Sequence, residues 1–116
     1  MKNFPGFIQE TGVILNVKNY KACLRFYSRK LGLRIRKQKT HLTNFDFGRS
    51  YLIIESAAKK EGWKNGALRI QVSDVQKTAQ ILRNRGVKIL VYSADWGDVG
   101  RFFDPEGNRI EICKFK

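Results

Sequence analysis

The sequence predicts an α+β fold in which one motif, strand–helix–strand–strand–strand, is used twice. Three observations predict it. Two similarly patterned apolar segments, GVILNV at 12–17 and ALRIQV at 67–72, each precede an amphipathic helix. Each helix runs into a glycine, Gly32 or Gly86, where a left-handed residue commonly ends a helix. Each half then closes with an aromatic strand, a turn and an apolar strand. The modules cover 10–58 and 67–116 of a single domain, and a charged, glycine-bearing linker at 59–66 joins them.

The elements follow in order. After the first strand Asn19 can cap a helix whose apolar stripe is Tyr20, Cys23, Leu24, Tyr27 and Leu31, at helical spacing. A strand is expected at 33–35. Phe45 and Phe47 mark the next one, Gly48, Arg49 and Ser50 a turn, and 51–55 the last strand of the module. In the second half Ser73 or Asp74 can cap a helix that buries Val75, Ala79 and Leu82, with Thr78 on the same side. Strands are expected at 87–89 and through Phe102 and Phe103. Asp104-Pro105 opens a turn that ends at Gly107-Asn108, and an apolar strand at 109–113 closes the module.

Composition narrows the function classes. Hydrophobic residues make up 42% of the 116 positions and aromatic residues 12%, which excludes a disordered chain. No apolar run approaches the ~18–20 residues that span a bilayer, and the first ten residues lack the apolar core of a signal peptide. A cytoplasmic location is the expectation. Lys and Arg number 23 against 10 Asp and Glu, a net charge of +13, so anionic partners are favoured over cationic ones. Cys23 and Cys113 form no CxxC motif and are read as reduced thiols.

Two stretches carry a family resemblance. LRFYSRKLGLRI at 24–35 and DPEGNRIEI at 104–112 resemble the helix-to-strand passage and the closing turn and strand of the vicinal oxygen chelate superfamily. That superfamily includes glyoxalase I, the bleomycin-resistance proteins, fosfomycin-resistance enzymes and extradiol dioxygenases. Trp96-Gly97 is most similar to the bleomycin-resistance branch. The resemblance implies two βαβββ modules whose mixed sheet curls around a cleft, and a homodimer.

It also implies where a metal would bind. The first-strand His position of metal-using members falls on Gly12, the second-module His position on Ala67, and the last-strand carboxylate on Glu111; a further position falls near Glu55. A catalytic divalent metal normally takes about three protein ligands and keeps a position open. Glycine and alanine supply none, although Glu10, two residues before Gly12, would share its strand face. His41, the single histidine, sits between strands at no ligand position. The expectation is therefore a binder without metal or other cofactor. A divalent-metal enzyme of glyoxalase or dioxygenase type using Glu55 and Glu111 is the alternative.

Strand alternation assigns faces. Asn16, Arg69, Gln71, Arg109 and Glu111 fall opposite the faces that pack under the helices and should line the cleft. Charged groups there must be paired or wet. Either Glu111 pairs internally with Arg69 or Arg109, or an arginine takes the carboxylate or phosphate of a ligand, or the face is simply solvated. Phe45, Phe47, Trp96 and Phe102 are the aromatic candidates for the ligand wall, with Tyr51 and Phe103 also in reach; Trp63 in the linker is a candidate lid or dimer contact.

The leading expectation is a protein that binds a neutral or anionic small molecule. A third class is a nucleic-acid or acidic-protein module using Lys30, Arg34, Arg36, Lys37 and Lys39, with Arg83, Arg85 and Lys88. No helix-turn-helix, zinc-finger or RNP-like motif supports it, and it is not favoured.

Overall fold

The computed structural model describes residues 3–57 and 66–116. Trp63 and nearly all of the expected linker lie outside the described residues. The chain forms two compact units, Gly12–Ala67 and the stretch up to Thr11 together with Leu68–Lys116. The elements run β1 (Glu10–Val17), α1 (Tyr20–Arg25), β2 (Ile35–Gln38), β3 (Leu42–Phe47), β4 (Ser50–Ser56), β5 (Gly66–Gln71), α2 (Val75–Asn84), β6 (Leu90–Ala94), β7 (Gly97–Phe103) and β8 (Arg109–Phe115). This is the βαβββ order twice, a mixed α+β fold. No helix among the described residues is long and apolar enough to cross a membrane.

In the first unit the strand order is β2-β3-β4-β1. β1 runs parallel to β4, with Gly12 opposite Tyr51 and Asn16 opposite Glu55. β3 is antiparallel to both β2 and β4. The helix-side core is Phe45, Leu52 and Ile54, against which Leu15, Val17, Tyr20, Cys23, Leu24, Tyr27 and Leu33 pack. Asn19 caps α1, its Oδ1 accepting from the Ala22 amide at 3.1 Å.

The helix does not end as its spacing predicts. A π-helical turn, Phe26–Lys30, follows α1, and the Leu31 amide donates to the Phe26 carbonyl five residues back at 3.0 Å. The wider turn takes up one extra residue and rotates the stripe off the core. Leu31 is consequently 54% exposed, and Leu33 packs in the core instead.

In the second unit the order is β5-β8-β7-β6, with β7 antiparallel to both β6 and β8. Val72, Val75, Ala79, Leu82, Ile89 and Ile112 form its core, joined by Phe4, Ile70, Val87, Val91 and Phe102. The N-terminal stretch belongs here through Phe4 and through the Gln9 amide, which donates to the Gln71 carbonyl at 2.9 Å. The strand expected at 87–89 begins only at Leu90. The preceding residues close the helix end: the Val87 amide donates to the Leu82 carbonyl at 3.0 Å, and Arg83 Nη2 donates to the Ile89 carbonyl at 2.9 Å. At the last turn Asp104 Oδ1 accepts from the Glu106 and Asn108 amides, both at 2.9 Å, and Gly107 takes the positive φ that favours glycine.

Of the two possible caps for α2, Asp74 serves, its Oδ1 accepting from the Lys77 amide at 2.9 Å. Removing that acceptor orphans a helix N-terminal donor. Asp74→Ala should therefore lose about 1 kcal/mol of stability, read as a Tm about 4–8 °C lower by calorimetry, with the native spectrum unchanged.

Candidate ligand site

Each unit keeps one sheet face under its helix and turns the other away, and the polar residues picked out by alternation lie on the helix-free faces. In the second unit that face carries Arg69 and Gln71 from β5, Arg109, Glu111 and Cys113 from β8, Val99 and Arg101 from β7, and Leu90 and Tyr92 from β6. The register sets Leu90 beside Arg101 and Arg101 beside Glu111, then Tyr92 beside Val99 and Val99 beside Cys113.

Glu111 is the centre of this face. It is 3% exposed, and its two oxygens meet different guanidinium groups. Arg69 reaches Oε1 with Nη2 at 2.7 Å and Nε at 3.1 Å. Arg109 Nη1 lies 3.4 Å from Oε2. Both arginines are themselves buried, at 8% and 5% exposure. A carboxylate can be removed from water at this depth only with its charge answered, and two charge-assisted contacts answer it. Trp96 covers the Arg69 guanidinium at 4.5 Å from its ring centroid and also meets the Phe115 ring at 5.5 Å. Gln71 is half-buried and donates to Gln9 Oε1 at 3.2 Å. Of the three readings open for these residues, the internal ion pair is the one the geometry shows, with both arginines engaged.

Tyr92 feels the same charges. Burial, then the Glu111 carboxylate, pushes its phenol above the ordinary tyrosine range; Arg101, Arg69 and Arg109 pull the other way. The Arg101 guanidinium lies 5.6 Å over the Tyr92 ring.

The first unit closes its helix-free face differently. A Cβ placed on Gly12 would land on the Tyr51 ring, well inside van der Waals contact, and Tyr51 is fully buried there. Arg36 lies over that ring at 5.6 Å. Arg34 and Arg36 both hydrogen-bond Asp46, Arg34 from Nε at 2.6 Å. The two guanidinium groups, Arg36 first, hold the Asp46 carboxyl below the usual carboxylate range. Asn16 is half-buried, in register with Glu55.

The aromatic candidates divide. Trp96 lies on the helix-free face of its unit. Phe45 and Phe102 do not: both belong to the helix-side cores, because their strand parity follows Leu52 and Ile112 rather than Tyr51 and Glu111. Phe47 shares the parity of Phe45 and is 48% exposed at the strand end. His41 is exposed in the bend before β3, its carbonyl accepting from the Ser56 amide at 2.9 Å. Among the described residues no three His, Cys, Asp or Glu side chains are grouped as metal ligands. Sequence reasoning missed Tyr92 and Arg101. The signal was the alternation Leu90, Tyr92, Ala94 across the tight Asp95–Trp96 turn to Gly97, Val99, Arg101.

These features meet an independent finding. Residues 11–112 match the profile of the Glyoxalase/Bleomycin resistance protein/Dioxygenase superfamily. The chain belongs to this superfamily. Solved structures share its fold at low identity. A structure described as an NAD-dependent benzaldehyde dehydrogenase from Legionella pneumophila is 19% identical, with TM-score 0.78 over 91% of this chain and 99% of that one. A superfamily member from Vibrio splendidus 12B01 is 11% identical, with TM-score 0.72 over 90% and 97%. Methylmalonyl-CoA epimerase from Mycobacterium tuberculosis is 16% identical, with TM-score 0.74 over 97% and 91%. No curated protein matches the chain.

Two outcomes follow from the charge cluster. Glu111→Gln strands two buried guanidinium groups and should cost roughly 3–5 kcal/mol in denaturant unfolding, whereas replacing Arg69 and Glu111 together by Met and Leu should cost far less. The Tyr92 phenol stays neutral to higher pH in the folded chain than in the unfolded one. Its stabilising contribution is thus complete below about pH 10 and lost as pH rises through the folded value. An ultraviolet titration should show tyrosine ionisation above the ordinary phenol range, and Tyr92→Phe should reduce that late step.

Proposed function

We propose that this superfamily member is a metal-free binding protein for a neutral or anionic organic small molecule, held on the helix-free sheet face of its second module. One observation carries the reading. Glu111 stands where the resemblance puts the metal-binding carboxylate, and its charge is already answered by Arg69 at 2.7 Å and Arg109 at 3.4 Å. A carboxylate clamped between two cations is a poor ligand for a third, since metal and guanidinium compete for the same lone pairs. The residues therefore do not fit a divalent metal centre. The first module supports the same reading: the position matching the family's first-strand ligand is Gly12, and the Tyr51 ring fills the space a side chain would need.

The preference for neutral or anionic ligands follows from charge. The chain carries +13 overall, and the described face sets three arginines, Arg69, Arg101 and Arg109, beside one carboxylate. A homodimer located in the cytoplasm completes the proposal, and sedimentation equilibrium gives the oligomeric state.

The test pairs metal analysis of the purified protein with a thermal-shift screen of aromatic acids, neutral aromatics and cationic antibiotics, with and without chelator. Acidic or neutral compounds should raise Tm equally in both conditions. A stoichiometric transition metal, together with an activity abolished by chelator and by Glu111→Ala, would establish the metal enzyme instead. Stabilisation by the cationic set alone would reverse the charge preference.

A further inference from the structure

The first module carries most of the chain's net charge. Between Val17 and Ile54 ten lysines and arginines stand against one acidic residue, Asp46, which Arg34 and Arg36 hold. Where the π-helical turn meets the edge strand β2, the surface is also apolar. Leu31 is 54%, Phe47 48%, Phe26 45% and Ile35 39% exposed. Backbone contacts bring these residues to one end of the unit. The Leu31 amide donates to the Phe26 carbonyl at 3.0 Å, and the Leu33 amide to the Tyr27 carbonyl at 3.0 Å. The Asp46 amide donates to the Arg34 carbonyl at 2.9 Å, so the next pair outward on these antiparallel strands is Leu33 beside Phe47. Ile35 keeps the parity of Leu33. A Cβ added at Gly32 or Gly48, in the turns at this end, would meet no described atom within 4 Å. Arg25, Arg29, Lys30 and Arg49, neighbours of these residues in the chain, are all exposed.

We propose that this end of the first module docks on an anionic lipid membrane, with Phe26, Leu31 and Phe47 entering the headgroup region and the surrounding cations meeting lipid phosphates. The inference does not depend on the small-molecule reading, which concerns the second module. A contiguous apolar patch with a charged rim marks an interaction surface, whereas scattered apolar residues do not. Lysine and arginine on an edge strand discourage strand pairing, which accounts for the charge but not for the uncovered apolar side chains. Phenylalanine and leucine interleaved with basic residues suit a bilayer interface, where burial of the apolar groups adds to the attraction of anionic headgroups. A nucleic acid would meet the cations and stack on the two rings, but it would leave Leu31 and Ile35 in water. A second copy of the chain would set this charge against itself.

Co-sedimentation of the full chain with vesicles tests this, using phosphatidylcholine alone or phosphatidylcholine and phosphatidylglycerol in equal parts. The chain should sediment with the anionic vesicles and not with the neutral ones, and less as salt rises. Phe26→Ser with Leu31→Ser keeps every charge and should weaken the partition about tenfold or more. Arg29→Gln with Lys30→Gln should weaken it by a similar factor. Lys77→Gln with Lys88→Gln removes as much charge from exposed positions in the second module and should change it little. Leu31→Trp, read against the unsubstituted chain, should gain a blue-shifted emission when anionic vesicles are added.

A partition untouched by the paired serine substitutions would leave charge alone as the cause and overturn the proposal. An equal loss in the Lys77→Gln, Lys88→Gln protein would do the same, because the general field of the protein would then suffice. Should the paired serine substitutions disturb the native circular-dichroism spectrum, the Leu31→Trp emission decides, and the absence of a blue shift overturns the proposal. Retention of a DNA or RNA oligonucleotide in place of vesicles, falling steeply with salt, would make this a nucleic-acid face instead. Retention of polyglutamate alone would make it a site for an acidic protein. Sedimentation with neither vesicle would end the membrane reading, and the thermal-shift screen for small molecules would stand unaffected.

Discussion

A carboxylate buried between two buried arginines constrains the second module more than any other contact. Glu111 comes from β8, Arg109 from the same strand two residues earlier, and Arg69 from β5. The arrangement adds little net stability over an apolar filling of the same volume, because desolvating three charges is expensive. What it does is penalise every alternative arrangement. A one-residue slip of β8 would put Ile110 or Ile112 on the polar face and Glu111 in the helix-side core. The cluster also reaches the β6–β7 turn, since Trp96 rests on the Arg69 guanidinium.

Much of this was legible in the amino-acid order. Alternation along 67–72 and 109–113 put Arg69, Gln71, Arg109 and Glu111 on one face, where the structure has them. The glycines that stop the helices, Gly32 and Gly86, have positive φ as their positions require. The misreadings have physical sources. Leu31 follows the helical period on paper, but one π turn breaks that period, and hydrogen-bond register is not written in apolar spacing. Phe45 and Phe102 are aromatic residues beside the polar face, yet parity sends them to the other side. Tyr92 and Arg101 were overlooked because β7 begins at Gly97, five residues before the aromatic pair that announces it.

The two modules repeat a backbone without repeating a chemistry. In the first, a buried tyrosine ring occupies the helix-free face, and the nearby charges, Arg34, Arg36 and Asp46, stay at the rim where water screens them. In the second, the charges are inside and the large apolar groups Leu90 and Phe103 are outside. Internal duplication supplies matching strands and helices, while the side chains facing away from the helices are constrained only by their own satisfaction.

The tyrosine packed over Gly12 limits what can replace that glycine. A histidine placed at that position alone would drive its Cβ into the ring, and a smaller residue at 51 alone would open a void in a close-packed layer. Each single step destabilises the fold, and neither releases Glu111 from its two cations. A metal site built on these two strands thus requires several changes at once, because the ring, the glycine and the ion pair each block a different step.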